Sequence, residues 1–250
     1  MATKNIVIIG GGTGGTILAN ILAKKLNDEI FSKKIKITLI SDNPYHYYKP
    51  AFMYIAFNLF LKEELMRSQR SLLRPEIEFV IDKAESFDFN NKTVYCCSKK
   101  KYHYDFLVLA TGCVPRLDRI EGLAEAGNHF YQYEAARKLA DKIATIEKGR
   151  VFITVTFPET PNVPHQCGIA PMETTLMLDE FLRQRRVRSN IEIVYTYPTV
   201  AQLLRNCLFM QQEVCEVLPA VFSERDIKAK RGFTLSHVDP DKKIAYSKEG

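Results

Sequence analysis

The sequence predicts an α/β fold made of two similar halves, each with a parallel β-sheet, and three observations lead to that prediction. Residues 6–9 form a short apolar run of β-branched residues that enters a glycine-rich turn at once. A helical pattern and a second apolar strand follow it. The order strand, helix, strand then recurs from residue 151 onward. Fully apolar strands of this kind are typical of parallel sheets, which are buried on both faces.

Composition and charge narrow the class of protein. Of the 250 residues, 46% are apolar and 26% are charged, which excludes collagen-like, disulfide-scaffold and wholly disordered chains. The length allows two modest domains, which we predict at residues 1–118 and 119–250. The net charge of +6 is scattered rather than gathered in a stripe, so we expect no nucleic-acid partner. The same charge is compatible with weak attraction to an anionic membrane surface.

Membrane spanning, export and metal binding are not expected. The most apolar stretch, residues 51–61, is about 11 residues long and contains Asn58, whereas a spanning helix needs about 20. The N-terminus has no charged segment followed by a cleavable apolar core, so the chain is predicted to be neither exported nor integral. The six cysteines form no CxxC pair and the five histidines have no zinc-ligand spacing, so we predict no metal site.

The elements of the first half follow from local patterns. After the glycine turn, an apolar stripe of Ile17, Leu18, Ile21, Leu22 and Leu26, with Ala19 and Ala23 on the same side, predicts a helix that faces the sheet. Residues 35–40 predict the second strand. Residues 43–75 begin as an aromatic loop and are expected to continue into a helix. We predict an antiparallel meander at residues 77–81, 86–89 and 93–97, and another buried strand at residues 106–109.

The second half repeats this order and then stops. We expect helices at residues 134–147, 172–186 and 199–206, and strands at residues 151–155 and 191–195. In addition, residues 78–95 are echoed by residues 233–246. The first copy leads into the strand at 106–109, whereas the second copy is followed only by the last residues before Gly250. We therefore expect a fold that is incomplete at its C-terminus.

The glycine turn carries the first chemical motif. Gly10-x-Gly12-x-x-Gly15 between a strand and a helix is the fingerprint of a Rossmann-like dinucleotide-binding domain. Its glycines allow a tight turn, close approach of a pyrophosphate and close packing of helix on strand, with the phosphates at the helix N-terminus. Thr13 and Gly14 complete the set of candidate contacts within the turn.

The end of the second strand extends the predicted cofactor site, and a substitution in the glycine turn tests it. An acidic residue normally ends the second strand and binds the ribose; here Ser41 takes that place and Asp42 follows, and either could reach the sugar. We expect Gly12→Val to abolish cofactor binding, because the side chain would fill the pyrophosphate space and disturb a left-handed backbone conformation.

The segment YDFLVLATG, residues 104–112, resembles a strand found in flavoproteins with two dinucleotide-binding domains. In that group the small turn, here Ala110, Thr111 and Gly112, packs close to FAD, and this resemblance favours FAD over NAD in the first half. The aromatic loop lies at the position in the sequence where a chain segment of such flavoproteins passes over the flavin. Lys49 and Pro50 of this loop, together with Ala84, are the remaining candidate contacts.

The second half lacks a matching fingerprint. Three prolines, at residues 158, 161 and 164, follow its first strand, and only Gly168 would permit a close backbone approach. Proline has no N–H to offer a phosphate, so we do not expect tight NAD(P)H binding. Residues 119–250 are therefore predicted to form a degenerate NAD-like domain beside an FAD-binding domain at residues 1–118.

Three segments carry a family resemblance. PHQCGIAPMETTLMLDEFL (residues 164–182) resembles the P-x-x-C-x-x-A-P-x-E segment of sulfide:quinone oxidoreductases, and a related segment occurs in the flavoprotein subunit of flavocytochrome c sulfide dehydrogenases. ITLISDNPYHYYKPAF and NHFYQYEAARKL are similar to the same group. The resemblance implies a glutathione-reductase-like architecture, FAD as cofactor, and sulfide and a quinone as partners. It also implies a cytoplasmic protein at the inner face of the cell membrane, and it allows a homo-oligomer.

The resemblance also implies the redox residues. The cysteine of the family segment corresponds to Cys167, which precedes a predicted helix and lies near His165, and both features favour a thiolate. Glu173 is expected in the first turn of that helix, where the helix dipole alone would favour an acid, so proton transfer is a secondary assignment. Cys113, directly after the Ala-Thr-Gly turn, is a third candidate. Some members carry another cysteine within the stretch aligned with residues 129–134, and this chain has none there.

Two other functions compete with sulfide oxidation. A type II NADH:quinone dehydrogenase shares the fold and the first fingerprint, and the missing second fingerprint counts against it. A truncated flavin-binding module without turnover is the non-enzymatic alternative.

Overall fold

A computed structural model describes residues 2–156, 169–198 and 213–250, in the last range without the side chains of residues 213–216. The chain divides into two compact units. The first unit contains Met1–Lys49 and Lys62–Val114, and the second contains Pro50–Leu61 and Pro115–Gly250. The domain boundary at residue 118 that the sequence suggests stays a prediction.

The first unit is built on a four-stranded parallel sheet. In chain order its elements are β1 (Lys4–Ile9), α1 (Thr13–Lys25), α2 (Asn27–Phe31), β2 (Ile35–Ser41), β3 (Tyr45–Tyr47), β4 (Met66–Ser68), β5 (Glu78–Ile81), β6 (Ala84–Asp88), β7 (Thr93–Cys96), β8 (Lys101–His103) and β9 (Phe106–Leu109). The sheet has the order β5-β2-β1-β9, with β1 parallel to both β2 and β9. The predicted strand–helix–strand arrangement at the N-terminus is thus confirmed.

Both faces of this sheet are covered. Ile6 and Ile8 of β1 pack in one apolar cluster with residues of α1, whereas Val7 and Ile9 pack in a second cluster with Val94 of β7. Successive side chains of a strand point to opposite faces, so an unbroken apolar run fits a strand between two layers. The layers are α1 on one side and the antiparallel meander β6-β7-β8 on the other.

The side of α1 that faces the sheet differs from the predicted stripe. Ala19 and Ala23 are fully buried, while Ile17 and Ile21 expose 53% and 46% of their surface. Leu18, Leu22 and Leu26 lie partly buried beside the sheet cluster. Small side chains allow a helix to lie close to a sheet. The predicted burial of the two alanines is therefore confirmed, whereas the expected placement of the two isoleucines was wrong.

Three further expectations for the first unit need correction. The strand predicted at residues 77–81 is β5, and it pairs in parallel with β2 instead of joining the meander. Period-two alternation predicts a strand but not its partner. The strand at residues 106–109 is β9, which lies at the edge of the sheet with Phe106 and Leu109 more than half exposed. Within residues 43–75 the expected helix is limited to one α-helical turn and short 3-10 turns.

The second unit contains a three-stranded parallel sheet. Its elements are α3 (Phe52–Ile55), α4 (Leu123–Ala126), α5 (Tyr133–Thr145), β10 (Gly149–Thr154), α6 (Ile169–Gln184), β11 (Ile191–Tyr197), α7 (Glu213–Glu224), β12 (Ile227–Arg231), β13 (Leu235–Asp239) and β14 (Ile244–Ser247). The strand order is β10-β11-β12, all parallel. One apolar cluster, including Leu182, Ile193 and Phe222, forms its core.

Most elements predicted for the second half are present. The helices expected at 134–147 and 172–186 correspond to α5 and α6, and the strands correspond to β10 and β11. The helix predicted at residues 199–206 lies outside the described residues. The repeated segment forms the hairpin β13-β14, which matches the hairpin β6-β7 of the first unit. Among the described residues, no helix combines the length and apolarity needed to cross a membrane.

A buried carboxylate lies at the C-terminal half of α6. Asp179 is fully buried and accepts hydrogen bonds from Arg183 at 2.8 Å, Arg188 at 2.5 Å and Arg225 at 2.8 Å. Burial opposes the charge of Asp179, but the three arginine hydrogen bonds outweigh it, so the pKa of the carboxyl is lowered. The guanidinium of Arg188 also donates to backbone carbonyls of Ile191, Arg225 and Asp226. This network ties α6 to the ends of neighbouring elements.

Candidate functional site

The glycine turn after β1 packs tightly on its inner side. Gly10 has φ +111°, and a Cβ there would lie 2.3 Å from the carbonyl oxygen of Ala110. A Cβ at Gly15 would lie 1.9 Å from the carbonyl oxygen of Gly10. Only glycine fits either position, and the turn, the start of α1 and the segment after β9 therefore meet backbone to backbone.

The outer side of the same turn is open. Gly12, Thr13 and Gly14 are exposed, and a Cβ at Gly12 or Gly14 would have no atom within 4 Å. Gly12 precedes α1 without a side-chain cap, and the first turn of α1 contains no acidic residue. A helix N-terminus of this kind offers uncapped N–H groups and a positive dipole end to an anion.

One expectation about this turn was wrong. Gly12 has φ −72° and ψ −174°, an extended conformation that any residue adopts, so it is not left-handed. The left-handed glycine of the turn is Gly10. Gly12 therefore has open space beside it rather than a special backbone angle.

Ser41 and Asp42 differ in their surroundings at the end of β2. Ser41 is half-buried, and its hydroxyl oxygen lies 2.9 Å from the position of a Cβ on Gly11. Asp42 is exposed. Both are at the strand end where the ribose-binding group is expected, and the assignment between them stays a prediction.

The other predicted cofactor residues lie in separate segments. Lys49 is exposed in the 3-10 turn Lys49–Ala51, and Pro50 of the same turn is assigned to the second unit. Ala84 begins β6 opposite Cys96. Thr111 and Gly112 are exposed beyond Ala110, and Gly112 has φ +72°. Their contacts with a cofactor remain predictions.

Three side chains that the sequence did not single out lie beneath the glycine turn. The carbonyl oxygen of Gly11 accepts a hydrogen bond from the Thr16 hydroxyl at 3.1 Å and lies 3.1 Å from Nδ1 of His46. The Thr16 oxygen in turn accepts from the Nε2 amide of Gln69 at 2.8 Å. Gln69 is 53 residues away in the chain, so no local pattern could have identified it.

The described cysteines differ in reactivity. Cys113 and Cys97 are exposed free thiols, whereas Cys96 is a buried free thiol. Burial, together with the nearby Asp82 and Cys97, raises the pKa of Cys96 to about 11, so it stays a neutral thiol at physiological pH. The principal redox candidate, Cys167, lies outside the described residues. No group of His, Cys, Asp and Glu in the described part of the chain could hold a metal ion.

Glu173 is held by a residue that sequence analysis missed. Because α6 includes residue 169, Glu173 lies beyond the first helical turn, and the expected first-turn position was wrong. Its Oε1 accepts a hydrogen bond of 2.8 Å from the hydroxyl of Tyr54, which lies in α3. Tyr54 belongs to the apolar stretch at residues 51–61, 119 residues earlier, for which the sequence predicted a helix but no hydrogen bond to an acid.

These features agree with comparisons to known proteins. Residues 4–155 match the model of the pyridine nucleotide-disulphide oxidoreductase family, and the chain belongs to that family. Within it, the chain is similar to sulfide:quinone oxidoreductases. It is 32% identical over 247 residues to the sulfide-quinone reductase of Aquifex aeolicus, covering 96% of this chain and 54% of the relative. It is 25% identical over 245 residues to the mitochondrial sulfide:quinone oxidoreductase of Dictyostelium discoideum, covering 96% and 51%.

A solved structure gives the same relationship. The crystal structure of the Aquifex aeolicus sulfide:quinone oxidoreductase matches with a TM-score of 0.79 and 27% identity, over 99% of this chain and 55% of that chain. A type II NADH:quinone oxidoreductase of Staphylococcus epidermidis is 28% identical over 144 residues, covering 56% of this chain and 34% of the relative. The chain spans about half the length of the sulfide:quinone oxidoreductases that it matches.

Members of this family are FAD-binding flavoproteins, and the glycine turn fits that cofactor. The inner side admits only glycine at two positions, and the outer side has open space beside Gly12 and Gly14 next to the N-terminus of a 13-residue helix. A pyrophosphate needs this combination of space and uncapped N–H groups.

Proposed function

We propose that this chain takes part in the oxidation of sulfide with a quinone as electron acceptor, as its relatives' names describe. The observation that carries the proposal is a match to sulfide:quinone oxidoreductases along 96% of the chain. The sequence PHQCGIAPME around Cys167 and the cofactor turn at residues 10–15 support it. FAD supplies a two-electron acceptor when bound.

Each candidate residue has a separate task in this proposal. The N–H groups at the start of α1 bind the pyrophosphate of FAD, with Ser41 or Asp42 on the ribose. Cys167 is the redox thiol that reacts with sulfide, and FAD, when bound, would accept the two electrons that this reaction releases; His165, two residues earlier in the sequence, favours the thiolate form. Glu173, which is close to this cysteine in the sequence and accepts a hydrogen bond from Tyr54, accepts or returns a proton in the reaction. Cys113 is the alternative thiol.

The partners follow from the same proposal. Sulfide is the electron donor and a quinone the acceptor in this proposal, and a membrane quinone requires the protein to bind the membrane surface. We propose that it binds peripherally, on the inner face of the cell membrane. The net charge of +6 supports attraction to an anionic surface. Assembly as a homo-oligomer is part of the proposal as well.

The cofactor assignment is tested by Gly12→Val. Since a Cβ at Gly12 meets no atom within 4 Å and its backbone is extended, the apoprotein should keep its stability to within about 1 kcal/mol. The valine side chain would fill the pyrophosphate space, so the purified variant should contain no flavin by absorbance. A variant that retains a full complement of flavin would move the FAD site elsewhere.

The redox assignment is tested by Cys167→Ser. Serine keeps the size and polarity of the side chain but removes the soft nucleophile, so flavin content should persist while sulfide-dependent flavin reduction in stopped flow slows by orders of magnitude. The matched control is Cys97→Ser, an exposed thiol in the meander of the first unit. Wild-type rates in Cys167→Ser would shift the assignment to Cys113.

The competing function is separated by the electron donor. A type II NADH dehydrogenase would reduce its flavin with NADH, whereas this chain lacks a second glycine fingerprint and should reduce it with sulfide. Anaerobic mixing with each donor distinguishes the two. Stoichiometric bleaching by NADH would favour the dehydrogenase, and no bleaching by either donor would favour a flavin-binding module without turnover.

A further inference from the structure

The peptide group between Gly11 and Gly12 is oriented by two donors. The Gly11 carbonyl accepts from the Thr16 hydroxyl, and His46 Nδ1 approaches the same oxygen at 3.1 Å. A carbonyl oxygen only accepts, so Nδ1 carries the ring proton in this contact. In a trans peptide the C=O and the following N–H point in opposite directions. Holding the Gly11 oxygen inward therefore turns the Gly12 N–H toward the open side of the turn.

The orientation of Thr16 itself depends on Gln69. The Thr16 oxygen accepts from Gln69 Nε2 at 2.8 Å, which leaves the hydroxyl proton for Gly11. Gln69 is fully buried, and its backbone N–H donates to the carbonyl of Pro44 at 2.8 Å. A Cβ on Gly11 would lie 3.3 Å from the Gln69 amide carbon, so the amide lies directly against the turn.

The same amide has an unsatisfied atom. Gln69 Oε1 is buried and has no hydrogen-bond partner among the described residues. A buried acceptor without a donor destabilises the folded state, so an apolar side chain of similar size would suit the fold at least as well. Fold stability therefore does not account for the amide, whereas a directed N–H toward Thr16 does.

We propose that Gln69 is a positioning residue of the FAD site, acting through Thr16 and the Gly11 carbonyl to direct the Gly12 N–H at the pyrophosphate. The chain of contacts runs from the amide N–H to the hydroxyl, from the hydroxyl to the carbonyl, and across the peptide to the N–H on the open side. The inference depends on FAD binding alone and is independent of sulfide oxidation.

The experiment compares FAD affinity with the stability of the apoprotein. Gln69→Met keeps the volume but removes both the directed N–H and the unsatisfied oxygen, so the apoprotein should be as stable as wild type or more so. Its Kd for FAD, measured by flavin fluorescence on reconstitution, should rise about tenfold or more, because a charge-assisted hydrogen bond is misdirected. Thr16→Val, which removes the next link, should raise the Kd by a similar factor.

The matched control is Thr38→Val, which removes a buried hydroxyl from β2 of the same unit. Thr38 donates to Glu78 at 2.7 Å and is not linked to the glycine turn, so its Kd for FAD should stay within about twofold of wild type. A wild-type Kd in Gln69→Met, or an equal loss in Thr38→Val, would overturn the proposal. If Gln69→Met fails to fold, a wild-type Kd in Thr16→Val overturns it in the same way.

Discussion

Helices α1 and α6 each follow the first strand of a parallel sheet, but they bury different side chains. The buried face of α1 consists of Gly15, Thr16, Ala19 and Ala23. That of α6 includes large apolar residues and the carboxylate of Asp179. Small residues bring the start of α1 against the backbone of the preceding turn, as an anion site made of N–H groups requires. In α6 the specific contacts are made by side chains instead, so one strand–helix arrangement serves two purposes.

The largest loss of stability is expected from a substitution that removes the buried charge of α6. Asp179→Asn should lower the free energy of unfolding by about 3–5 kcal/mol, because Arg188, itself buried, would lose the carboxylate that it pairs with. Urea denaturation at neutral pH measures the change. The matched control is Asp141→Asn on α5, whose 3.5 Å pair with Arg137 is exposed and should contribute less than about 1 kcal/mol.

The pH dependence gives a second check of the same network. Since the folded-state pKa of Asp179 is lowered, its stabilising contribution is present above the ordinary aspartate pKa and is lost as the pH falls through the lowered value. The difference between wild type and Asp179→Asn should therefore narrow as the pH falls from about 5 to about 2. A difference that stays constant over this range would show that charge is not the cause.

The close approach at the start of α1 is broken by Gly15→Ala. The added Cβ would meet the Gly10 carbonyl oxygen at 1.9 Å, so the turn must shift, and we expect a loss of about 3 kcal/mol in the apoprotein with loss of bound flavin. Gly14→Ala, in the same helical turn but facing open space, should keep or slightly raise apoprotein stability. Equal losses in the two variants would remove the contrast between the inner and outer sides of the turn.

The sequence predicted the local part of this comparison well. A glycine fingerprint between an apolar strand and a helix identifies β1, α1 and β2, because turn geometry and periodicity act over a few residues. The same periodicity could not show that β5 pairs in parallel with β2, since alternation is the same for either partner. It placed Ile17 and Ile21 on the same helix face as the two alanines, although only the alanines of that set are buried.

Two residues that hold site residues in place, Gln69 and Tyr54, could not be found from local sequence patterns. Gln69 reaches Thr16 across 53 residues, and Tyr54 reaches Glu173 across 119, so both contacts depend on the tertiary fold. The segment around Tyr54 is apolar and aromatic, a composition that predicts packing, and nothing in it marks a hydrogen-bond donor for an acid. Cys167 was identified only by resemblance, and its role stays a prediction.

A smaller effect on stability is expected from the hydrogen bond between Tyr54 and Glu173 in the second unit. Tyr54→Phe removes the 2.8 Å hydrogen bond to Glu173 but keeps the ring, so the free energy of unfolding should fall by about 1 kcal/mol. Tyr48→Phe, with a side chain 61% exposed, serves as the control and should change little. If both variants match wild type, the hydroxyl contributes nothing measurable to holding Glu173.

The smallest effect on stability is predicted on the outer side of α1, where an exposed isoleucine can be compared with a buried alanine of the same helix. Ile21 is 46% exposed, so Ile21→Gln should change the free energy of unfolding by less than about 0.5 kcal/mol, although the residue is as apolar as any in the core. Ala19 lies two residues earlier, on the opposite side of α1, and is fully buried; Ala19→Leu would push α1 off the sheet at a cost of about 1–3 kcal/mol. Chemical denaturation of the two variants side by side makes the measurement. A larger loss in Ile21→Gln than in Ala19→Leu would mean that the isoleucines, and not the alanines, form the face of α1 that packs on the sheet.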